Sequence, residues 1–205
     1  MDADALVEHA VAAIRRGAPV LLPTDTVYGL CASAFDEAAA SRAYSVKRRE
    51  GAQPTALIAA GIETLLASLP ELDDRYAEIV KMLLPGPYTL VLPNPGRRFA
   101  WLAGERPDTI GVRVATVPEA TQRVLDAVGC VLATSANAPG GVSPATLAEV
   151  PEWIRAGCEA EIDVGRLPGV SSTVLDFTGP EPVVLREGRA PSNVAIERVG
   201  STRWR

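Results

Sequence analysis

Residues 109–137, TIGVRVATVPEATQRVLDAVGCVLATSAN, read strand, helix, strand and polar loop in turn. Thr109–Ala115 is rich in β-branched residues, and Pro118 is a natural first residue for a helix running to Val128. Cys130–Ala133 is a short apolar run followed at once by Thr134-Ser-Ala-Asn137. A chain that alternates these two periods is an α/β protein. Outward from this segment the alternation continues. Residues 3–16 place Leu6, Ala10, Val11 and Ile14 on one helical stripe, with Gly17 as the stop. Pro19–Leu22 reads as a buried strand ended by Pro23, and Asp36 is a cap for a helix to about Lys47. Thr55–Ala60 is strand-like, Asp73–Leu84 a helix stopped by Pro85-Gly86-Pro87, and Tyr88–Leu92 a strand. Beyond Asn137 the spacing predicts a short helix around Ala145–Val150 and strands at Glu161–Val164, Ser172–Phe177 and Pro182–Leu185.

The chain has 205 residues, 47% of them hydrophobic and 22% charged, which is enough to build a packed core. No internal repeat or Gly/Ser-rich linker divides it, so residues 1–205 are expected to form one domain. Its core would span about 5–190, with a frayed tail at Ser201–Arg205. No apolar run reaches the ~18–20 residues of a membrane span, and the start, MDADALVEHA, lacks the basic region of a signal peptide. A cytoplasmic location is the expectation. The net charge of −5 argues against a general nucleic-acid binder, so any nucleic-acid affinity should be weak at most. Cys31, Cys130 and Cys158 form no CxxC pair, and His9 is the one histidine, so neither a zinc site nor a histidine-rich metal site is expected.

Several polar clusters follow directly on apolar strands, where α/β proteins hold ligands. Thr24-Asp-Thr-Val-Tyr28 offers two hydroxyls, a carboxylate and a phenol, suited either to a small polar ligand or to a hydroxyl-stabilised turn. Lys47-Arg-Arg49 sits at a helix end, where it either answers the helix dipole or clasps a polyphosphate. Thr134-Ser-Ala-Asn137 with Gly140-Gly141-Val-Ser143 allows close approach of phosphate oxygens, or is a plain loop. Neither GxxxxGK[ST] nor GxGxxG occurs, which disfavours a P-loop and an ordinary dinucleotide site. Arg113 lies inside an apolar strand. Alternation places it with Gly111 and Ala115, opposite Ile110, Val112 and Val114, so it is the best candidate for holding a carboxylate.

In order, PTDTVYGL (23–30), Lys47-x-Arg49 with Gln53-Pro54, PGPYTLVL (85–92), TIGVRV (109–114), TSAN with GGVSP (134–144), SSTVLD (171–176) and VLREG (184–188) resemble the YrdC-like family. Its members include the threonylcarbamoyl-AMP synthases of tRNA modification. The resemblance spans about residues 19–190. It implies a twisted, mixed β-sheet with flanking helices around a deep, positively lined cavity. It also implies a reaction in which L-threonine, bicarbonate and ATP give threonylcarbamoyl-AMP and pyrophosphate. The product feeds t6A formation at adenosine 37 through downstream tRNA threonylcarbamoyl-transferase proteins. Matching residue by residue, Lys47, Arg49, Ser135 and Asn137 would be catalytic and clamp the phosphates, with Gln53, Thr109, Ser143 and Arg186 also on ATP. Thr26, Arg113, Ala133 and Ser172 would hold threonine, and Mg2+ would ride on the triphosphate with few protein ligands.

The chain departs from the pattern at Gln53, where many members have Asn, and at Glu50, where they have Pro. Ile58 stands where some carry a His, and Ala138-Pro139 replaces a usual Ser-Gly. It resembles the short single-domain form. Two alternatives are a non-catalytic RNA-binding module and an enzyme forming a different carbamoyl-adenylate.

Overall fold

The computed structural model describes residues 2–48 and 53–200; Arg49 and the tail Ser201–Arg205 lie outside them. Helix caps set the boundaries much as the sequence predicts. Helix α1 (Ala3–Arg15) opens on Asp2, whose carboxylate accepts from the Ala5 amide at 2.8 Å, and α2 (Glu37–Val46) opens on Asp36 in the same way. Helices α3 (Ile62–Ser68) and α4 (Asp74–Leu83) follow, and α5 (Glu119–Val128) carries Pro118 in the cap position, one residue earlier than expected. Helices α6 (Glu152–Arg155) and α7 (Ser192–Gly200) complete the set.

The strands are β1 (Val20–Pro23), β2 (Tyr28–Ser33), β3 (Ala56–Ala59), β4 (Tyr88–Pro93) and β5 (Thr109–Arg113). Then come β6 (Cys130–Ser135), β7 (Ala160–Glu161), β8 (Thr173–Asp176) and β9 (Val183–Arg186). They form one mixed sheet in the order β7-β1-β2-β6-β3-β5-β4-β8-β9. Strand β2 escapes the sequence patterns because Gly29, Cys31 and Ala32 have little strand preference and both of its faces are buried. The expected strand 161–164 shrinks to Ala160–Glu161. Asp163 turns the chain instead, its carboxylate accepting from the Gly165 amide and from the Tyr28 hydroxyl, each at 2.8 Å. The expected helix at 145–150 is a 3₁₀ turn, Leu147–Glu149, followed by α6. Helices α3 and α7 are additions.

The two faces of the sheet differ. One packs Leu57, Leu90, Leu92, Ile110, Val112 and Leu132 against α2, α3, α4 and α7 in a continuous core. The other packs Val20, Leu22, Cys31, Ile58 and Val131 under α1 and α5 alone, at one end. Alternation sends Gly29, Ala56, Gly111, Thr89 and Val91 to this second face, beyond the reach of those two helices. The far edge, β9, exposes Val183, Val184 and Leu185.

Two contacts hold the long closing loops. The fully buried Tyr28 is held by Asp163, by the Gly165 carbonyl and by the Val164 amide, and burial together with Asp163 pushes its pKa up to about 12. A raised tyrosine pKa stabilises the fold below pH ~10 and loses that contribution as pH passes the folded value. Titration followed by tyrosinate absorbance should show one phenol ionising near pH 12 together with loss of fold; ionisation of all four tyrosines near pH ~10 in a folded protein would contradict this. Gly188 crosses the backbone of Ser171 and Ser172, where an added Cβ would stand 2.3 Å from the Ser171 carbonyl oxygen. Gly188→Ala should therefore cost roughly 1–3 kcal/mol, seen calorimetrically as a melting point lowered by about 3–10 °C.

Candidate active site

The uncovered part of the second face is the floor of a cavity of about 440 Å³, a volume typical of small-ligand sites. Small residues make the room. In register across four strands lie Cys31, Ala133, Ala56 and Gly111, of which the last three face the cavity. A Cβ on Gly111 would meet only the Thr89 methyl at 3.6 Å and the Thr55 carbonyl at 3.7 Å, both ordinary contacts. Glycine is there for the space above it, not for the backbone.

At the end of β6 the sequence-predicted cation, hydroxyl and amide come together. The buried Lys47 ammonium donates to Thr134 Oγ1 at 2.9 Å, the Ser135 carbonyl at 2.6 Å and Asn137 Oδ1 at 3.4 Å. Ser135 Oγ donates to Asn137 Oδ1 at 2.5 Å, and Asn137 Nδ2 donates to the Gly141 carbonyl. Thr134 and Ser135 face the cavity; Lys47 and Asn137 stand behind them. The network fixes a buried positive charge against one wall, the kind of preorganised donor set that stabilises developing phosphate charge.

The opposite side is built from hydroxyls and guanidiniums. Thr26, Thr109, Arg113, Ala133, Ser172 and Arg186 all line the cavity, so residues expected on ATP and on threonine share one space. Ser172 Oγ lies 2.8 Å from Thr89 Oγ1, while Arg186 Nε and Nη2 donate to the Ser172 carbonyl at 3.1 and 2.9 Å. The Thr109 hydroxyl donates to the Arg106 carbonyl. Arg106, Arg113 and Arg186 line the cavity against one acid, Glu105. Desolvation and the nearby Arg113 charge lower the pKa of Arg186. Burial would raise Asp176, but Thr178 and Arg106 hold its carboxyl below the usual range.

Other expected residues are placed less centrally. Ser143 Oγ lies 3.1 Å from Ser171 Oγ, which does line the cavity, and Gln53 is exposed just before the lining residue Pro54. Ile58 pairs with Arg113 in register, yet its side chain packs into the α1–α5 cluster rather than the cavity wall. Thr24 uses its hydroxyl for the turn itself, accepting from the Thr26 and Val27 amides, and Tyr28 points away to Asp163. Three contributors were not picked out by sequence reasoning: Asp25 as the partner of Arg113, Thr89 and Arg106. Thr89 had a visible signal, a lone hydroxyl among apolar residues on the strand face that alternation assigns to the cavity. Among the described residues, no group of three His, Cys, Asp or Glu side chains is placed to hold a metal ion, and no helix is long and apolar enough to cross a membrane.

The family model for Sua5, YciO and YrdC proteins, described as Telomere recombination, matches residues 12–188. The chain belongs to the Sua5/YciO/YrdC family. It is 35% identical over 198 residues to the threonylcarbamoyl-AMP synthase of Pyrococcus abyssi, covering 96% of this chain and 58% of that one. It is 35% identical over 185 residues to the threonylcarbamoyl-AMP synthase of Halorhodospira halophila, covering 90% of this chain and 91% of that one. The crystal structure of P. abyssi Sua5 complexed with L-threonine superimposes with a TM-score of 0.83 at 32% identity, over 98% of this chain and 58% of that one. The chain thus spans little more than half the length of its P. abyssi relative.

Filling the cavity should weaken ligand binding without unfolding the protein. Gly111→Val should melt within about 4 °C of the parent and bind nucleotide or amino acid at least about tenfold more weakly. Unchanged affinity by calorimetric titration would place the ligand elsewhere.

Proposed function

We propose that the protein is an L-threonylcarbamoyladenylate synthase, a nucleotidyltransferase acting in the cytoplasm on L-threonine, bicarbonate and ATP. One observation carries this reading. One cavity joins a lysine–hydroxyl–amide network at Lys47, Ser135 and Asn137 to a buried arginine, Arg113, whose Nε has no hydrogen-bond partner among the described residues. The first suits phosphates and the second suits a carboxylate. The names of the P. abyssi and H. halophila relatives, and the threonine in the P. abyssi complex, support it.

In this reading the threonine amine adds to bicarbonate with loss of water, giving a carbamate anion. A carbamate oxygen then attacks the α-phosphorus of ATP, a new P–O bond forms, and the bond to the β-phosphate oxygen breaks to release pyrophosphate. The nucleophile is already anionic, so no histidine base is needed, consistent with a chain whose one histidine, His9, bonds to the Glu159 carbonyl. Lys47, Ser135 and Asn137, with Arg49 from outside the described residues, would stabilise charge on the α-phosphate and leaving group. Gln53, Thr109, Ser143 and Arg186 would contact the nucleotide, and magnesium enters with the triphosphate as part of the substrate. Thr26, Arg113, Ala133 and Ser172 would hold threonine. The product would pass to proteins that transfer the threonylcarbamoyl group to tRNA.

Lys47→Ala and Ser135→Ala should each lower pyrophosphate release by about 10²–10³ while circular dichroism stays that of the parent. A folded variant with unchanged turnover would remove that residue from the phosphate clamp. Offering each amino acid in turn with ATP and bicarbonate tests the substrate. Serine should be used poorly and valine hardly at all, because a site that hydrogen-bonds the substrate hydroxyl penalises an isostere lacking it. Pyrophosphate released equally with every amino acid, or with none, would defeat the threonine assignment.

A further inference from the structure

Arg113 carries the one buried side-chain donor without a partner among the described residues, its Nε, although the side chain is only 8% exposed. Its Nη2 donates at 2.6 Å to Oδ1 of Asp25, a carboxylate equally buried. Arg113 faces the cavity; Asp25 does not. Asp25 stands at the tip of the turn joining β1 to β2, which reaches Arg113 across the two intervening strands, β6 and β3.

That turn is a fixed anchor. The Thr24 hydroxyl bonds within it to the Thr26 and Val27 amides, and from outside Thr121 Oγ1 donates to the Pro23 carbonyl, the Gly169 amide to the Thr26 carbonyl, and Arg189 to the Asp25 carbonyl. A long, rotamer-rich guanidinium is thus tied at one nitrogen to an immobile carboxylate, with a second nitrogen buried and unmet. We propose that Asp25 is a positioning residue for the amino-acid carboxylate: it neutralises and orients Arg113 in the empty site while leaving Nε for the ligand. The proposal rests on the proposed function and deepens it. Local charge argues that Asp25 orients rather than competes. Arg106, Arg113 and Arg186 line the cavity against Glu105, with Asp25 paired to Arg113 behind it, so a second carboxylate still enters a net positive site.

The test is calorimetric titration of L-threonine and, separately, of ATP into the parent protein, Asp25→Asn and Asp25→Ala, with steady-state pyrophosphate release on the same preparations. Asn keeps the acceptor and should weaken threonine binding by about three- to tenfold; Ala removes it and should weaken binding by about tenfold or more. ATP affinity should stay within about twofold in both, and the KM for threonine should rise far more than kcat falls. Unchanged threonine affinity in a folded Ala variant overturns the proposal. So does tighter threonine binding, which would make Asp25 a competitor, and so does an equal loss of ATP affinity. If Ala does not fold, Asn decides by the same criteria; if neither folds, Asp25 is a structural counter-ion and the positioning role fails. A parent protein that binds no threonine defeats the proposed function and this proposal with it, whereas threonine bound equally by parent and variants defeats only the role of Asp25.

Discussion

Among the described residues, two helices are asked to cover a face of a nine-stranded sheet, and they cover one end of it. Everything about the site descends from that shortfall. An apolar face left open to water would be an association hazard, so the uncovered strands change character where α1 and α5 stop. Leucine, isoleucine and valine on the covered faces give way to Gly29, Ala56, Gly111 and Ala133 on the floor, and to Thr89, Thr109 and Ser172 toward the sides. The opposite face, roofed by α2, α3, α4 and α7, shows no such change and supplies the rigidity.

Charge in this cavity is placed behind the wall as well as on it. Lys47 reaches the Thr134–Ser135 wall from the outer side, and Asp25 reaches Arg113 from the turn above. Burying such groups is costly unless each is met by hydrogen bonds, and the protein meets them with short polar side chains at the ends of strands. The result is a cavity whose guanidiniums and hydroxyls are oriented before any ligand enters, which suits it to anions of defined shape more than to polyanions in general.

Local signals made much of this legible from residues alone. Asp36 marks a helix start because capping is a contact within a few residues, and the structure adds Asp2 and Asp73 in the same role. Arg113 was identifiable because alternation along Thr109–Val114 needs no tertiary knowledge. What stayed hidden depends on distant contacts. Strand β2 is held by neighbours on both sides and not by its own preference, and α3 and α7 lean on the core built by other elements. Arg113 also meets a carboxylate of its own chain, Asp25, a pairing between residues 88 positions apart that no spacing rule reveals. Ile58 illustrates the reverse: it stands where some family members carry a His, but its side chain is held down by α1 and α5 and not on the cavity wall.

The clamps on the β1–β2 turn lie far along the chain. Residues 24–27 are made well before Thr121, and the Gly169 and Arg189 bonds become possible only once the chain has grown through those positions. Strand β1 likewise waits for β7, and β4 for β8. The turn that carries Asp25 and Thr26 is therefore among the first parts of the site to be synthesised and among the last to be immobilised. A nascent chain that has not yet reached Arg189 lacks one of the bonds that fix this turn, so the pocket is finished only after that residue has been made.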